Sequence, residues 1–430
     1  MQRIEIKNFG PIKHVAFDIH DYTVFIGPQA SGKSTIARLV YFFLSQEEEI
    51  NVIFFDKDGL FVRPTIERWK EKLLEKFNKY WDRSFLHEDT QISFFIDDSK
   101  NILLNFKNGS LSVTMSELLE SVFNQVVDTV ANQFEQTSTF NIAIAKASFS
   151  YLRPIFSRDV LSSKSIYYEY IPDGRTIFSV LHNELTPTIS SIKDIFVQEF
   201  ILITNNIRRE LAKQSIEERF QSIRKSLSPD LPKNIIIAEK IYKLAFQILH
   251  GKYCCENSID FIYIDTDKKI PLISSSSGQQ EAIWIVYHLL FHEITRLGID
   301  AVSLFAVIEE PESHLFPEGQ RNMMYVLTLF ANHSKNQLML TTHSPYILTP
   351  LSNLLYAFNL GQNKAKRDDV SKIIDPDLWI DPKRFECYYV DNGTIESVMD
   401  RETNIINLDK LDMASTLGNE EFDKLLELEN

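Results

Sequence analysis

The spacing of apolar residues changes several times along the first part of the chain. Residues 4–12 alternate between apolar and polar side chains, as an edge strand does, and residues 22–26 form a short run of β-branched and aromatic side chains. From residue 35 to residue 42 the apolar side chains recur at helical spacing. This pattern predicts a strand, a loop and a helix in that order.

The loop between this strand and helix has the residue pattern of a phosphate-binding loop. It reads Gly27-Pro28-Gln29-Ala30-Ser31-Gly32-Lys33-Ser34-Thr35. The glycines let backbone N–H groups turn toward phosphates at a helix N-terminus, Lys33 can reach the β- and γ-phosphates, and the Ser34 hydroxyl can ligate Mg²⁺. We therefore predict that residues 27–35 bind a nucleoside triphosphate. A chance match in a flexible loop is the alternative, but it leaves the flanking strand and helix unexplained.

A second apolar strand, far downstream, ends in two acids. Residues 304–308 are apolar, and Glu309, Glu310 and Pro311 follow them. Adjacent side chains on a strand point to opposite faces, so one acid must lie at the strand end, where Pro311 supplies a turn. The pattern predicts Glu309 beside Mg²⁺ and Glu310 polarising a water aimed at the γ-phosphate. An acidic loop that caps a strand would explain two glutamates but not their position after an apolar run.

Two further segments complete a motif series. A serine-rich turn at residues 274–279 precedes an apolar helix that starts at Ala282. Taken alone, this turn is explained equally well as a functional motif or as a helix N-cap, with Glu281 placed to interact with the helix dipole. A strand at residues 337–341 leads to Thr342, His343 and Ser344. An isolated histidine after a strand is more often structural than catalytic, so the order of the motifs decides its interpretation.

The four motifs in this order resemble those of the ABC-type ATPase clade that includes SMC, RecF and the OLD-family ATPases. The residues that make up these motifs are most similar to those of stand-alone AAA-family ATPase subunits in anti-phage systems of the Septu, PARIS and retron type. The resemblance implies an α/β ABC-ATPase head with a mixed sheet, a phosphate loop and a helical insertion, which dimerises head to tail. It implies catalytic roles for Lys33, Glu310 and His343, the last as a switch histidine. It implies that Ser276, Ser277 and Gly278 contact the γ-phosphate held by the other protomer, and that Gln279 beside them is a further nucleotide-binding residue.

One residue differs from the usual motif of the clade, and three others are candidates for nucleotide contact outside the four motifs. Glu309 replaces the usual aspartate, and its extra methylene would place the metal through water, which leaves the turnover rate open but not nucleotide binding. Residues 167–175 resemble the strand-Pro-x-x-Arg segment of the defence-type ATPases. Arg175 is therefore a candidate nucleotide or γ-phosphate sensor, with a hairpin turn carrying an exposed arginine as the open alternative. Lys7 and Asn8 are weaker candidates for adenine contacts.

Composition and charge limit the function classes. The 430 residues are 44% hydrophobic, with a formal net charge of −14 and a pI of about 5.3. This acidity argues against indiscriminate binding to duplex nucleic acid. The basic residues at 206–225 are interleaved with Glu210, Glu217 and Glu218, a pattern that favours a solvated helix face over a nucleic-acid groove but leaves nucleic acid open as a partner. No apolar run is long enough to cross a bilayer, the N-terminus reads as a mixed strand, and the three cysteines form no C-x-x-C pair. We expect no membrane partner and a cytoplasmic location.

The motif order predicts how the chain is divided. The predicted segments are an N-terminal part of the ATPase head (1–45), an insertion with antiparallel strands and a helical arm (46–250), a C-terminal part of the head (251–360) and an α/β extension (361–430). In the extension, Asp375-Pro376-Asp377 has the spacing of a nuclease D-x-D. The central proline favours a turn over a strand end, so we expect no nuclease activity from this chain.

These observations lead to a functional hypothesis. The chain is predicted to be an ATPase that uses ATP and Mg²⁺, forms a homodimer or higher homo-oligomer, and controls a separate effector protein, expected to be a nuclease, in anti-phage defence. The alternative is a RecF-like DNA repair or recombination ATPase that binds DNA directly. An ABC transporter subunit is a weaker alternative, because such subunits lack an insertion of this size.

Overall fold

A computed structural model describes most of the chain. The described residues are 2–49, 53–55, 62–135, 152, 155–162, 167–179, 189–227, 231–257, 259–265, 267–295 and 303–407. Pro229, in the predicted helical arm, and the acid-rich residues 420–426 of the predicted C-terminal extension lie outside them. Among the described residues, no helix is both long enough and apolar enough to span a bilayer.

Strands and helices occur in groups along the described residues. The strands are β1 (Arg3–Phe9), β2 (Ile12–Asp18), β3 (Tyr22–Ile26), β4 (Leu86–Phe95), β5 (Asn101–Lys107), β6 (Ser110–Met115), β7 (Tyr167–Ile171), β8 (Lys252–Glu256), β9 (Ile259–Tyr263), β10 (Lys269–Pro271), β11 (Leu304–Glu309), β12 (Gln337–Thr342), β13 (Phe385–Asp391), β14 (Thr394–Ser397), β15 (Met399–Asp400) and β16 (Ile405–Ile406). The helices are α1 (Lys33–Leu44), α2 (Ile66–Tyr80), α3 (Glu117–Glu135), α4 (Ile195–Lys213), α5 (Ile216–Leu227), α6 (Lys233–Leu249), α7 (Ser277–Thr295), α8 (Pro317–Asn332), α9 (Leu348–Gly361) and α10 (Lys364–Ile373).

A mixed six-stranded sheet lies at the centre of the fold. Its strand order is β14-β13-β3-β12-β11-β7, and every neighbouring pair is parallel except β13 with β14. Because β3, β12 and β11 are adjacent and parallel, their carboxyl ends meet at one edge of the sheet. The phosphate loop, the acidic pair and the predicted switch histidine follow these three strands, so the topology brings them together.

The two faces of the central sheet pack against different partners. Val24 and Ile308 belong to a core that includes α6, α7, α8 and α9, whereas Phe25 and Val307 belong to a second core with α1 and the antiparallel sheet. Successive side chains on a strand point to opposite faces of the sheet. Because both faces of this sheet are covered, these strands carry apolar side chains on both faces. Helix α1 is therefore held between two sheets, with Phe43 stacked on a ring of β4 at 5.0 Å.

The antiparallel sheet has the order β2-β1-β4-β5-β6. The sequence predicted antiparallel strands at residues 85–115, and β4, β5 and β6 confirm them. The expectation that the first strand is an edge strand is wrong, because β1 pairs with β2 on one side and with β4 on the other. Alternation reports only that one face is buried, as the buried Ile4 and Ile6 show. It carries no information about hydrogen bonding in the plane of the sheet.

Strand pairing crosses the predicted segment boundaries. β4 from segment 46–250 pairs with β1, and β7 from the same segment pairs with β11. In the C-terminal segment, β13 pairs with β3. Strands from all four segments therefore contribute to the sheets that carry the predicted site. The confirmed class is α/β with mixed sheets and a phosphate loop.

Candidate active site

The phosphate loop joins β3 to α1, as the sequence predicted. Gly32 adopts a left-handed conformation with φ +105° immediately before the helix, which a residue with a side chain rarely adopts. The amine of Lys33, the first helical residue, donates to the carbonyls of Gly27 at 2.8 Å and Pro28 at 2.6 Å. Burial lowers the pKa of Lys33, and nearby carboxylates oppose that shift. The amine is thus held inside the loop that would bind the phosphates.

Gly27 allows a close approach between the loop and the neighbouring strand. We expect Gly27→Ala to lower the melting temperature and weaken ATP binding, because its Cβ would lie 2.1 Å from the carbonyl oxygen of Val390 on β13. Overpacking of this kind costs about 1–3 kcal/mol. Thermal denaturation with and without Mg-ATP would measure both effects. Gly319→Ala on α8 is the control, because its Cβ would meet Leu315 at an ordinary 3.5 Å. Equal melting temperatures for the two variants would contradict the prediction.

Glu309 is the last residue of β11 and is 1% exposed. Its Oε2 lies 3.6 Å from Nη2 of Arg38 and accepts from the N–H of Asp173 at 3.4 Å. Its Oε1 is buried and has no hydrogen-bond partner among the described residues. An unpartnered buried carboxylate oxygen is unfavourable, and Mg²⁺ prefers oxygen ligands and bound water. The chemistry of Glu309 therefore fits a magnesium ligand, and the role of the Ser34 hydroxyl as a second ligand stays a prediction.

Glu310 lies beyond the strand end, as predicted, but it makes the turn itself. It has φ +44°, and its N–H donates to the carbonyl of Thr341 at 2.8 Å. A glutamate in the left-handed region is uncommon and is found where neighbouring contacts hold it. Its Oε1 lies 2.6 Å from Nε2 of His343. The structure thus brings together Glu310 and His343, two of the side chains to which the resemblance assigned catalytic roles.

Glu312 organises the loop after β12, and sequence reasoning missed it. Its Oε1 accepts from the hydroxyl of Thr342 and, at 3.3 Å, from the N–H of His343. Glu312 is 6% exposed, and burial raises the pKa of its carboxyl. The signal in the sequence was a third glutamate within four residues, directly after the predicted acidic pair.

Several buried polar atoms at these strand ends have no hydrogen-bond partner in the described part of the chain. β11 and β12 are in register with Glu309 opposite Thr341. The unpartnered atoms are Oε1 of Glu309, Oε2 of Glu312, Oγ1 of Thr341 and Nδ1 of His343. Buried polar groups are normally satisfied by protein, water or a bound group. Their concentration at one edge of the sheet is what a polar ligand site requires.

Arg38 is a second residue that sequence reasoning missed. It lies on α1, where its Nε donates to the hydroxyl of Tyr170 at 3.2 Å and its Nη1 to Asp194 at 3.1 Å. The guanidinium also lies over the ring of Phe196, 4.8 Å from its centroid. Arg38 therefore connects the phosphate-loop helix to Glu309. Its signal in the sequence was a cation within the apolar run that follows Thr35 on this helix.

The serine-rich turn forms the predicted N-cap. Ser276 and Gln279 make a reciprocal capping pair: Gln279 Oε1 accepts from the N–H of Ser276 at 3.0 Å, and the hydroxyl of Ser276 accepts from the N–H of Gln279 at 3.3 Å. The helix begins at Ser277, earlier than predicted. Ser276 and Ser277 are exposed, whereas Gly278 is buried, where a Cβ would lie 2.6 Å from the carbonyl of His314. The capping role of Ser276 is confirmed, whereas Glu281 lies beyond the first turn of α7 and pairs with Arg175 instead of serving the helix dipole. Contact of this turn with a γ-phosphate stays a prediction.

Arg175 is 1% exposed, so the exposed-turn alternative is wrong. Its guanidinium donates to the carbonyls of Pro172, Glu309 and Glu310, and its Nε lies 3.0 Å from Oε2 of Glu281. The sequence identified this arginine, but its partners depend on the fold. Direct contact with a nucleotide stays a prediction for Arg175.

The two N-terminal candidates lie at the end of β1. Lys7 forms an ion pair with Glu5 at 2.7 Å, and Asn8 has φ +49° where the register between β1 and β4 shifts. Their predicted contact with adenine stays a prediction.

The Asp375-Pro376-Asp377 segment forms a turn, as its proline predicted. The N–H of Asp377 donates to Oδ1 of Asp375 at 3.0 Å. The amine of Lys240 donates to the carboxylates of both Asp375 and Asp377, and its distance to Oδ2 of Asp377 is 2.7 Å. The amine of Lys233 lies 3.5 Å from the other carboxylate oxygen of Asp377. Within the described residues, no group of three or more His, Cys, Asp or Glu side chains could hold a metal ion. These aspartates are engaged in ion pairs rather than arranged as a metal site.

A strand-loop-helix phosphate loop beside an acidic strand end defines this site as that of a P-loop ATPase. A family model described as an AAA ATPase domain matches residues 1–348, and the chain belongs to this family. It is 24% identical over 358 residues to a protein named OLD nuclease from Thermus scotoductus, a match that covers 80% of this chain and 59% of that protein. The match agrees with the predicted resemblance to the OLD proteins.

Solved structures of SMC heads are also similar to the chain. An SMC head domain from Thermotoga maritima is 11% identical, with 92% of this chain and 97% of that chain covered and a TM-score of 0.36. An SMC head domain with an extended coiled coil, bound to the C-terminal domain of ScpA derived from Pyrococcus furiosus, is 11% identical, with 93% and 96% covered and a TM-score of 0.40.

Proposed function

We propose that the chain binds ATP with Mg²⁺ at the carboxyl ends of β3, β11 and β12 and hydrolyses it there. The observation that carries this proposal is the 2.6 Å contact between Glu310 and His343 beside unpartnered buried polar atoms. A structural ion pair alone would not require a left-handed glutamate or unsatisfied oxygens next to it.

Each residue has a distinct role in the proposed reaction. Lys33 neutralises charge on the β- and γ-phosphates, and Glu310 orients the attacking water and accepts its proton. His343 contacts the γ-phosphate and keeps Glu310 directed toward the water. Ser34 and Glu309 hold Mg²⁺, which stabilises negative charge on the phosphate oxygens when it is bound.

We further propose that two chains assemble head to tail. The exposed residues Ser276 and Ser277 lie at the N-terminus of α7, where backbone N–H groups and the helix dipole favour an anion. In the proposed dimer this turn meets the γ-phosphate that the other protomer holds. ATP would then stabilise the dimer by the affinity it has for the assembled site.

The biological role we propose is control of a separate effector, expected to be a nuclease, in anti-phage defence. Its support is the similarity of the motifs to defence ATPases and the similarity of the chain to a protein named OLD nuclease. The chain spans 59% of the length of that relative. Because lysines pair with both aspartates of the D-x-D in this chain, we assign cutting to another protein. The nucleotide state would act on it through different affinities of the two states.

We expect the purified chain to hydrolyse ATP in the presence of Mg²⁺ and to leave DNA and RNA intact when no partner is present. ATPase, gel-based nuclease and salt-dependent DNA-binding assays would test this on one preparation. The matched control is a double variant, Asp375→Asn with Asp377→Asn. Cleavage by the wild type that this variant loses would contradict the assignment. Tight DNA binding at about 0.15 M salt, without a partner, would favour the RecF-like alternative.

A further inference from the structure

We propose that Arg175 is a positioning residue that holds the main chain of Glu310 in its working conformation and links it to the start of α7. The proposal rests on the ATP hydrolysis proposed above. It differs from a sensor role, because Arg175 would act through Glu310 rather than touch the phosphate.

The guanidinium of Arg175 binds the turn after β11. Its Nη1 donates to the carbonyl of Glu309 at 2.8 Å, and its Nη2 donates to the carbonyl of Glu310 at 3.0 Å. On its other side, Glu310 is held by its N–H bond to Thr341 at 2.8 Å. These three bonds fix both peptide groups of Glu310, whose φ of +44° is otherwise unfavourable. They therefore set the direction of the side chain that meets His343.

The same guanidinium is bound to the first turns of α7. Glu281 is 2% exposed, and its Oε2 lies 3.0 Å from Nε of Arg175 and accepts from the N–H of Arg175 at 3.1 Å. Its Oε1 accepts from the N–H of Thr176 at 3.0 Å. Ser277 and Gly278 lie about one helical turn earlier on α7. A displacement of the exposed end of this helix would be passed to Glu310 through a single buried side chain.

A bidentate phosphate contact would require Arg175 to leave this position. The guanidinium has five N–H donors, and four of them have protein acceptors. Moving it would leave the buried carboxylate of Glu281 without its cation and two strand-end carbonyls without their donors, which is strongly unfavourable. The geometry thus favours positioning over phosphate contact.

The test compares two buried arginines by the same substitution. Arg175→Lys keeps a charge but cannot bridge Glu281 and both carbonyls, because an ammonium lacks the planar fork. We expect kcat to fall by roughly 10-fold to 10²-fold, the effect of a small misplacement of a catalytic group, with ATP affinity within about twofold of wild type. Arg208→Lys is the control, because Arg208 forms a buried fork with Asp260 at 3.0 Å, outside the site. It is expected to lose stability but keep kcat per folded molecule.

A second variant tests the link from α7. Glu281→Gln removes one of the two carboxylate acceptors and the charge, and it should lower kcat as Arg175→Lys does. The double variant should be little worse than either single variant, because the two residues act as one unit. Wild-type kcat in Arg175→Lys, or a fall equal to that of Arg208→Lys, would overturn the proposal. So would a loss of ATP affinity with kcat unchanged, which would instead identify Arg175 as a nucleotide contact.

Hydrogen exchange tests the positioning role of Arg175 independently of whether the chain hydrolyses ATP. The amide of Glu310 should exchange about 10-fold faster in Arg175→Lys than in Arg208→Lys, because its turn loses a buried charge-assisted bond. If wild type and Lys33→Ala are equally inactive toward ATP, the proposed hydrolysis fails, and the exchange rate still decides whether Arg175 holds this turn. Equal exchange in the two variants would overturn the positioning role.

Discussion

Lys33→Ala is expected to abolish ATP hydrolysis and to weaken ATP binding by roughly 10²-fold. The amine of Lys33 lies inside the phosphate loop, against the carbonyls of Gly27 and Pro28. Positioned cationic contacts to a reacting phosphate are worth about 3 kcal/mol, and each 1.4 kcal/mol is about a tenfold change in affinity. Isothermal titration with ATP and a phosphate-release assay would measure the two effects separately.

The control for this variant is Lys107→Ala, which removes an exposed lysine at the end of β5. It should bind and hydrolyse ATP as wild type does. The melting temperature of Lys33→Ala without nucleotide must also be recorded, because Lys33 contributes hydrogen bonds to its own loop. ATP affinity and turnover equal to wild type in Lys33→Ala would refute the assignment of the phosphate loop.

Glu310→Gln is expected to lower turnover by roughly 10²-fold or more while ATP still binds. Glutamine keeps the shape of the side chain and an oxygen that faces His343, but it cannot accept a proton from water. The ATP-bound form should therefore accumulate, and in the proposed assembly it should be seen as a more stable dimer. Single-turnover kinetics and size-exclusion chromatography with Mg-ATP would report both results.

Glu309→Gln is the matched comparison, because it makes the same change one residue earlier. Glu309 is buried and lies 3.6 Å from Arg38, so this variant should lose stability and magnesium-dependent binding. The roles proposed for the two acids require these different outcomes. Accumulation of the ATP-bound form in Glu309→Gln, with normal turnover in Glu310→Gln, would show that the roles are reversed.

The sequence alone determined the parts of the site that consist of contiguous residues. The phosphate loop with Lys33, and the placement of Glu309 at a strand end with Glu310 beyond it, could be read directly. Spacing along one strand or one loop decides these features, because the alternation of side chains and the requirements of glycine act over a few residues. The N-cap at Ser276 and the turn at Asp375 were readable for the same reason.

Only the tertiary structure decided how these parts are connected. Arg175 binds Glu281 across 106 residues of sequence and Glu309 across 134. The central position of β1, the link from Arg38 to Glu309, and the pairing of His343 with Glu310 likewise depend on which strands become neighbours. Local spacing reports whether a residue is buried and on which face. The choice of partner for a buried charge depends on how distant segments pack, so it could be read only from the folded chain.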